Sequence, residues 1–219
     1  MTLLKRVLTT IVEPKHLQLS YRLHKLVDSC ESLCDLGGGS GAAWGDQIPK
    51  NVKTRVVVDQ YQAGLDIGVG SGVYTQAIKQ DVLTFLRAQG ADSFDVVLAT
   101  SVIEHLPTEA GAEMATEMKR VAKHIAIIYT PNGFVIQPPD ADNPFQEHLS
   151  GWDSHALEAF GYEFAGGFSG LKFLRTTHGS IRFKYLKIGT LLILLSTFLT
   201  QQSKRFAFEI LHVAKKGTT

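Results

Sequence analysis

The chain has 219 residues, 44% of them hydrophobic and 20% charged. That is enough apolar material for the core of one α/β domain and too much for an intrinsically disordered chain. Twenty-two basic and 21 acidic residues leave a formal net charge of +1, which argues against a dedicated nucleic-acid binder, because such proteins carry a basic excess or stripe. Two cysteines, Cys30 and Cys34, exclude a disulfide-built secreted scaffold. They cannot complete a zinc site by themselves, and no metal site is expected.

Taken in chain order, Leu3, Leu4, Val7, Leu8, Ile11 and Val12 recur at helical spacing, Pro14 interrupts them, and Leu17, Tyr21, His24 and Val27 resume the stripe. This pattern predicts a two-helix N-terminal cap over residues 1–29, lying on a main domain of residues 30–219. The apolar run Val7–Val12 contains two threonines and ends at Glu13, so it does not read as a secretory signal. Strand-like and helix-like segments then alternate. Ser32–Leu36, Thr54–Asp59, Ala77–Val82, Phe94–Ala99 and Ile125–Tyr129 read as strands. Ala110, Met114, Met118 and Val121 repeat at helical spacing after Pro107-Thr108. Near-continuous apolar strands between helices predict a mostly parallel sheet covered on both faces, a Rossmann-like three-layer α/β sandwich. Asp153 to Phe160 reads as a capped helix closed by Gly161, and Phe206–Val213 as a final edge strand.

One apolar segment stands out. Ile188–Leu199, within a hydrophobic helical insertion at 186–200, is apolar nearly all round. It falls short of the ~20 residues that span a bilayer, so no transmembrane span is expected. A helix packed on the domain, a subunit interface or a membrane-surface contact through 188–199 are its readings. The expected location is cytoplasmic.

Two glycine-rich clusters compete for a ligand-binding role. Asp35-Leu36-Gly37-Gly38-Gly39-Ser40-Gly41 directly follows the first strand. Doubly wound sheets bind ligands there, beyond the carboxyl ends of the strands, and glycines allow a close backbone approach. Gly37, Gly39 and Gly41 suit a nucleoside pocket, while Gly37, Gly39 and Ala42 also satisfy a dinucleotide fingerprint. The second cluster, Asp66–Gly72, leaves only 21 residues before Phe94, too few for a helix and two strands; it is expected to be a loop or helix entry. Asp59, eighteen positions after Gly41 at the end of the second strand, can accept hydrogen bonds from both hydroxyls of a ribose. Asp81 is placed to accept from an adenine amino group, with Val82 as an apolar wall for the ring.

Phe94-Asp95-Val96-Val97-Leu98-Ala99-Thr100-Ser101-Val102-Ile103-Glu104-His105-Leu106, with the glycine loop and Asp59, resembles the fourth-strand region of class I S-adenosylmethionine-dependent methyltransferases. The likeness continues through Ile127–Phe134. In Asn143–Trp152 it is similar to a subset of small-molecule methyltransferases in which a histidine after the fifth strand faces the substrate. The resemblance implies a seven-stranded sheet whose last strand is antiparallel, with S-adenosyl-L-methionine held by Asp35, Gly37, Gly39, Gly41, Asp59, Asp81, Val82 and Ser101. At Thr100-Ser101 this chain has hydroxyls where many relatives carry an acid. It implies methyl transfer to an O or N atom of a small-molecule acceptor, with His105 and His148 handling a proton or touching the substrate. Imidazoles suit that task because they titrate near pH ~6.5. Glu104 is read as a backbone cap, an orienting group or a metal ligand, and Phe145 and Trp152 as substrate covers. Two other functions stay open: an NAD(P)-dependent oxidoreductase, and a non-catalytic S-adenosylmethionine-binding module.

Overall fold

A computed structural model describes residues 18–44, 51–182 and 188–216. Most of the expected N-terminal cap lies outside these residues; its described part is α1 (Leu19–Val27), which buries Leu23 and Val27. The chain continues through β1 (Ser32–Leu36), β2 (Thr54–Asp59), α2 (Gln62–Gly70), β3 (Gln76–Lys79), α3 (Val82–Ala88), β4 (Phe94–Thr100), α4 (Thr108–Val121) and β5 (Ala122–Pro131). It ends with α5 (Ser154–Ala159), β6 (Glu163–Leu171), α6 (Ile188–Thr200) and β7 (Ala207–Lys215).

Seven strands form one sheet in the order β3-β2-β1-β4-β5-β7-β6. The first five run parallel, and β7 is antiparallel to both β5 and β6. The strands are apolar on both faces because helices cover both. In β4, Val97 and Ala99 enter a core with α3, α4 and α5, while Val96 and Leu98 enter a second core with α1, Trp44 and Leu65. This two-sided burial is what the unbroken apolar runs required.

Three expectations need correction. The segment Phe206–Val213 is a strand but not an edge: β7 is an inner strand, and the edge is β6, which the sequence reading did not pick out. Asp81 does not close the third strand. β3 stops at Lys79, and Asp81 caps α3, its Oδ1 accepting from the Thr84 amide at 2.9 Å. The second glycine cluster is neither loop nor helix entry, because Asp66–Gly70 lies within α2. By contrast, the Asp153 cap holds, with its Oδ1 accepting from the Ala156 amide at 2.9 Å, and Gly161 follows with φ +79°.

The apolar segment forms α6, which packs on β6. Ile193 is buried, and Leu195, Phe198 and Leu199 are exposed. No described helix is long and apolar enough to cross a membrane.

Candidate functional site

The carboxyl ends of β1, β2 and β4 meet at an open cleft. About 780 Å³ of non-atom space lies within its bounds, open solvent included. Gly37, Asp59, Val82, Ser101 and His105 line it, together with Phe145 from the loop after β5. His148 lines an adjoining hollow that shares Ser101 and His105 with the cleft. Asp35, Gly39, Gly41 and Asp81 do not line either space.

The turn after β1 is shaped by its neighbours. Gly37 has φ +63°, and a Cβ on it would sit 2.5 Å from Val102 Cγ2. Its amide donates to the Val58 carbonyl at 2.7 Å. Asp59 braces the same turn: its Oδ2 accepts from the Gly39 amide at 3.1 Å and its Oδ1 from the Tyr61 amide at 2.8 Å. Each carboxylate oxygen has a second acceptor direction, so Asp59 retains capacity for a ligand's hydroxyls.

Asp35 lies beneath this turn, fully buried. Its Oδ2 accepts from Tyr74 Oη at 2.6 Å and Trp44 Nε1 at 2.7 Å, while Oδ1 has no partner among the described residues. Burial raises its pKa to about 6, opposed by the Tyr74 and Trp44 hydrogen bonds, with the Asp59 charge adding to the rise. Neither Tyr74 nor Trp44 was singled out from the sequence, since no local pattern marks a partner 39 positions away. Asp35 therefore supports the turn from inside. Tyr74→Phe should remove one of two donors to this buried carboxylate and cost about 1–3 kcal/mol, measured as a shift in the urea midpoint without a change in slope.

The second half of the site is built on the Ile103–His105 turn after β4. The Glu104 carbonyl accepts from the Leu149 and Ser150 amides at 2.8 and 3.1 Å, and Ser150 Oγ donates to the Ile103 carbonyl at 3.2 Å. These bonds fasten the loop after β5 to the turn after β4, which brings His148 against His105. The ring centroids are 4.8 Å apart, edge to face. His105 Nδ1 lies 2.9 Å from the Glu147 carbonyl, and His148 Nδ1 lies 2.7 Å from the Val135 carbonyl. A carbonyl can only accept, so each Nδ1 carries a hydrogen and each neutral ring keeps its lone pair on Nε2. Burial lowers the His105 pKa; the Glu147 carbonyl acts against this, and His148 adds to it.

Glu104 is 3% exposed, and its Oε2 accepts from Thr130 Oγ1 at 3.0 Å. Burial raises its pKa to about 7, opposed by hydrogen bonding that includes Thr130 and reinforced by Glu209. Glu104 thus faces inward beside the histidines. Trp152 is 3% exposed, packed near Phe160, so it belongs to the core and does not cover the cleft. Phe145, 45% exposed, does border it.

No protein-family model matches the sequence, and no curated protein does. Solved structures do match it over nearly its whole length. A SAM-dependent methyltransferase from Archaeoglobus fulgidus aligns at TM-score 0.57 and 15% identity, covering 97% of this chain and 99% of that one. The fold is that of the class I methyltransferases. The magnesium protoporphyrin IX methyltransferase from Synechocystis PCC 6803, solved with bound SAM, aligns at TM-score 0.50 and 12% identity, covering 96% of this chain and 83% of that one. The [4+2]-cyclase SpnF aligns at TM-score 0.55 and 13% identity, covering 90% and 81%. The cyclase makes plain that this fold does not by itself name the reaction.

Proposed function

We propose that the protein transfers a methyl group from S-adenosyl-L-methionine to an O or N atom of a small molecule. The observation that carries this reading is the pairing of two spaces. A cleft at the ends of β1, β2 and β4 shares Ser101 and His105 with an adjoining hollow that His148 also lines.

The residues of the cleft fit an adenosyl ligand. Gly37 lets the turn lie against Val102, which borders the cleft, Asp59 offers acceptor directions for the ribose hydroxyls, and Val82 gives the adenine ring an apolar wall. Gly39 and Gly41 shape the turn, Asp35 holds it from below, and Asp81 fixes the start of the helix bearing Val82. Ser101 stands at the junction of the two spaces with φ +53°. When bound, the cofactor supplies an electrophilic methyl group on a sulfonium, whose displacement in line leaves the C–S electron pair on sulfur. The protein's tasks are to hold the acceptor at attack distance and to receive its proton. The Nε2 lone pairs of His105 and His148 face those tasks. A nicotinamide-dependent oxidoreductase is disfavoured by the strand order, because dinucleotide-binding sheets of the 3-2-1-4-5-6 type lack an antiparallel strand between the fifth and sixth. The two buried free cysteines suit a reducing compartment such as the cytoplasm.

Calorimetric titration with S-adenosyl-L-methionine, its demethylated product and NAD tests the reading. The first two should bind with one site and NAD should not. Asp59→Ala should weaken binding about 100-fold, since hydrogen bonds to a charged group contribute ~1.5–3 kcal/mol. Asp66→Ala, on α2, where Asp66 accepts only from exposed Gln62 among the described residues, should leave affinity unchanged. Binding of NAD alone, or an Asp66 effect without an Asp59 effect, would overturn the proposal.

A further inference from the structure

Glu104, His105 and His148 do more than line the acceptor hollow. One ligand-capable atom from each lies within 4.8 Å of those of the other two. Glu104 and His105 come from the turn after β4, and His148 is brought in by the loop after β5. Two imidazoles and one carboxylate are a donor set suited to divalent transition metals, and a site of this composition leaves coordination positions open for other ligands.

We propose that these three residues form a binding site for one divalent transition-metal ion, and that the ion holds an oxygen of the acceptor. Three features of the structure support the site. First, both imidazoles are anchored through Nδ1 to backbone carbonyls, which fixes the tautomer that offers Nε2 as ligand. This is the outer-shell arrangement that metal-binding histidines use. Second, Glu104 is buried and accepts from neutral Thr130, and among the described residues no lysine, arginine or histidine pairs with it as an ion pair. A buried carboxylate without a counter-charge is costly, and a cation between it and the two rings supplies that charge. Third, the loop carrying His148 is fastened to the Glu104 turn by the Leu149 and Ser150 amides, so the three side chains are held together before any ion arrives. Metal bonds of ~2.0–2.2 Å require the ligand atoms to draw closer than 4.8 Å when an ion binds.

The site faces the hollow shared with Ser101, Gln137 and Gln146, so its open positions point to where the acceptor would lie. A hydroxyl ligated there becomes more acidic, its proton leaves to water, and its oxygen lone pair forms the new bond to the methyl carbon. In this arrangement the imidazoles hold the ion and do not take the proton. That consequence rests on the methyl-transfer reading; the metal site itself does not. The inference also revises the expectation of no metal site drawn from the sequence.

Chelator-treated protein, titrated with Mn²⁺ by electron paramagnetic resonance and with Zn²⁺ by calorimetry, should bind one ion of each. His148→Ala and Glu104→Gln should each weaken binding at least 100-fold, and His155→Ala, a surface histidine on α5, should not. Unfolding curves of the variants verify that they fold. Binding that is absent, or that persists undiminished in both His148→Ala and Glu104→Gln, overturns the site. S-adenosyl-L-methionine titrated into the same samples separates the two readings. Cofactor binding without metal binding rejects the metal site and returns the histidines to proton transfer. Metal binding without cofactor binding rejects the methyl-transfer reading and leaves the site standing.

Discussion

Alanine in place of Gly37 should destabilise the protein by about 2–5 kcal/mol and weaken S-adenosyl-L-methionine binding more than ~100-fold. Two separate penalties combine. An L-residue held at φ +63° loses ~1–2 kcal/mol to the contact between Cβ and backbone. The added methyl would also lie 2.5 Å from Val102 Cγ2 and 3.3 Å from Cγ1, and forcing extra volume into packed surroundings costs ~1–3 kcal/mol. Val102 borders the cleft, so relief of the clash displaces a wall of the binding space. The two penalties can be divided. Val102→Ala in the Gly37→Ala background should recover the steric part and leave the backbone part. Gly39→Ala, whose Cβ would meet only Asp59 Oδ2 at 3.5 Å, should impair binding with a smaller loss of stability. Urea denaturation and calorimetry on the three variants and the wild type supply both quantities. A Gly37→Ala protein with native stability and affinity would show that the turn does not form the cleft wall.

His212→Leu should stabilise the protein, increasingly so in acid. His212 on β7 is fully buried against Phe164, with ring centroids 5.6 Å apart, and neither ring nitrogen has a partner among the described residues. Removing an unsatisfied buried polar group should gain about 1–3 kcal/mol at neutral pH. The acid effect comes from ionisation. Burial lowers the His212 pKa from 6.5 to about 4; Glu158 raises it, Lys204 lowers it and Asp153 raises it. Between pH 6.5 and 4 the unfolded chain therefore binds a proton that the folded one refuses, and stability falls as the pH falls. The full difference is about 3 kcal/mol. Asp35 and Glu104 act oppositely, since their folded pKa values are raised to about 6 and about 7, and each contributes stability as the pH falls toward its unfolded value. The wild-type curve sums these terms, so the informative quantity is the difference between His212→Leu and wild type. It should widen by about 3 kcal/mol from pH 7 to pH 4, and a flat difference would refute the assignment.

The legible parts of the fold were those whose signal is local. Val56–Val58 and Val96–Leu98 are apolar because both sheet faces are covered, and the two-sided run marks the strand without knowledge of its neighbours. The Asp153 cap and the Gly161 stop are likewise contained in one short stretch. The misread parts depend on distant partners. β6 (Glu163–Leu171) contains Gly166, Gly167 and Gly170, a composition that reads as loop. There the absence of a side chain admits the backbone of α6 at Thr200 and Ile193. In α2, a Cβ on Gly68 would lie 2.6 Å from the Gly39 carbonyl oxygen, so that glycine is needed for a helix to pack on the cleft turn. Both clusters look like flexible loops until the opposing surface is known.

The candidate site divides in the same way. Gly37, Asp59 and Val82 could be picked by their place after a strand or at the start of a helix, and they line the cleft. His105 and His148 could be named singly, but their contact across 43 positions arises from bonds between the Glu104 carbonyl and the Leu149 and Ser150 amides, which have no sequence signature. Asp81 was misplaced rather than misnamed. A carboxylate after an apolar run suggested a strand end, yet its Oδ1 is engaged by Thr84, an ordinary helix start.

The position of β7 between β5 and β6 governs the order in which the chain can mature. Ile125 is in register with Lys215, and Glu163 with Val213. As the polypeptide emerges from a ribosome, β5 stays bare along one side and β6 has nothing to join until residue 215 has been made. Such delayed, long-range pairing slows folding, and a bare strand invites association with neighbouring nascent chains. Assembly of the sheet therefore waits on a strand synthesised after every other one described, and high-level production of the protein is exposed to loss at that stage.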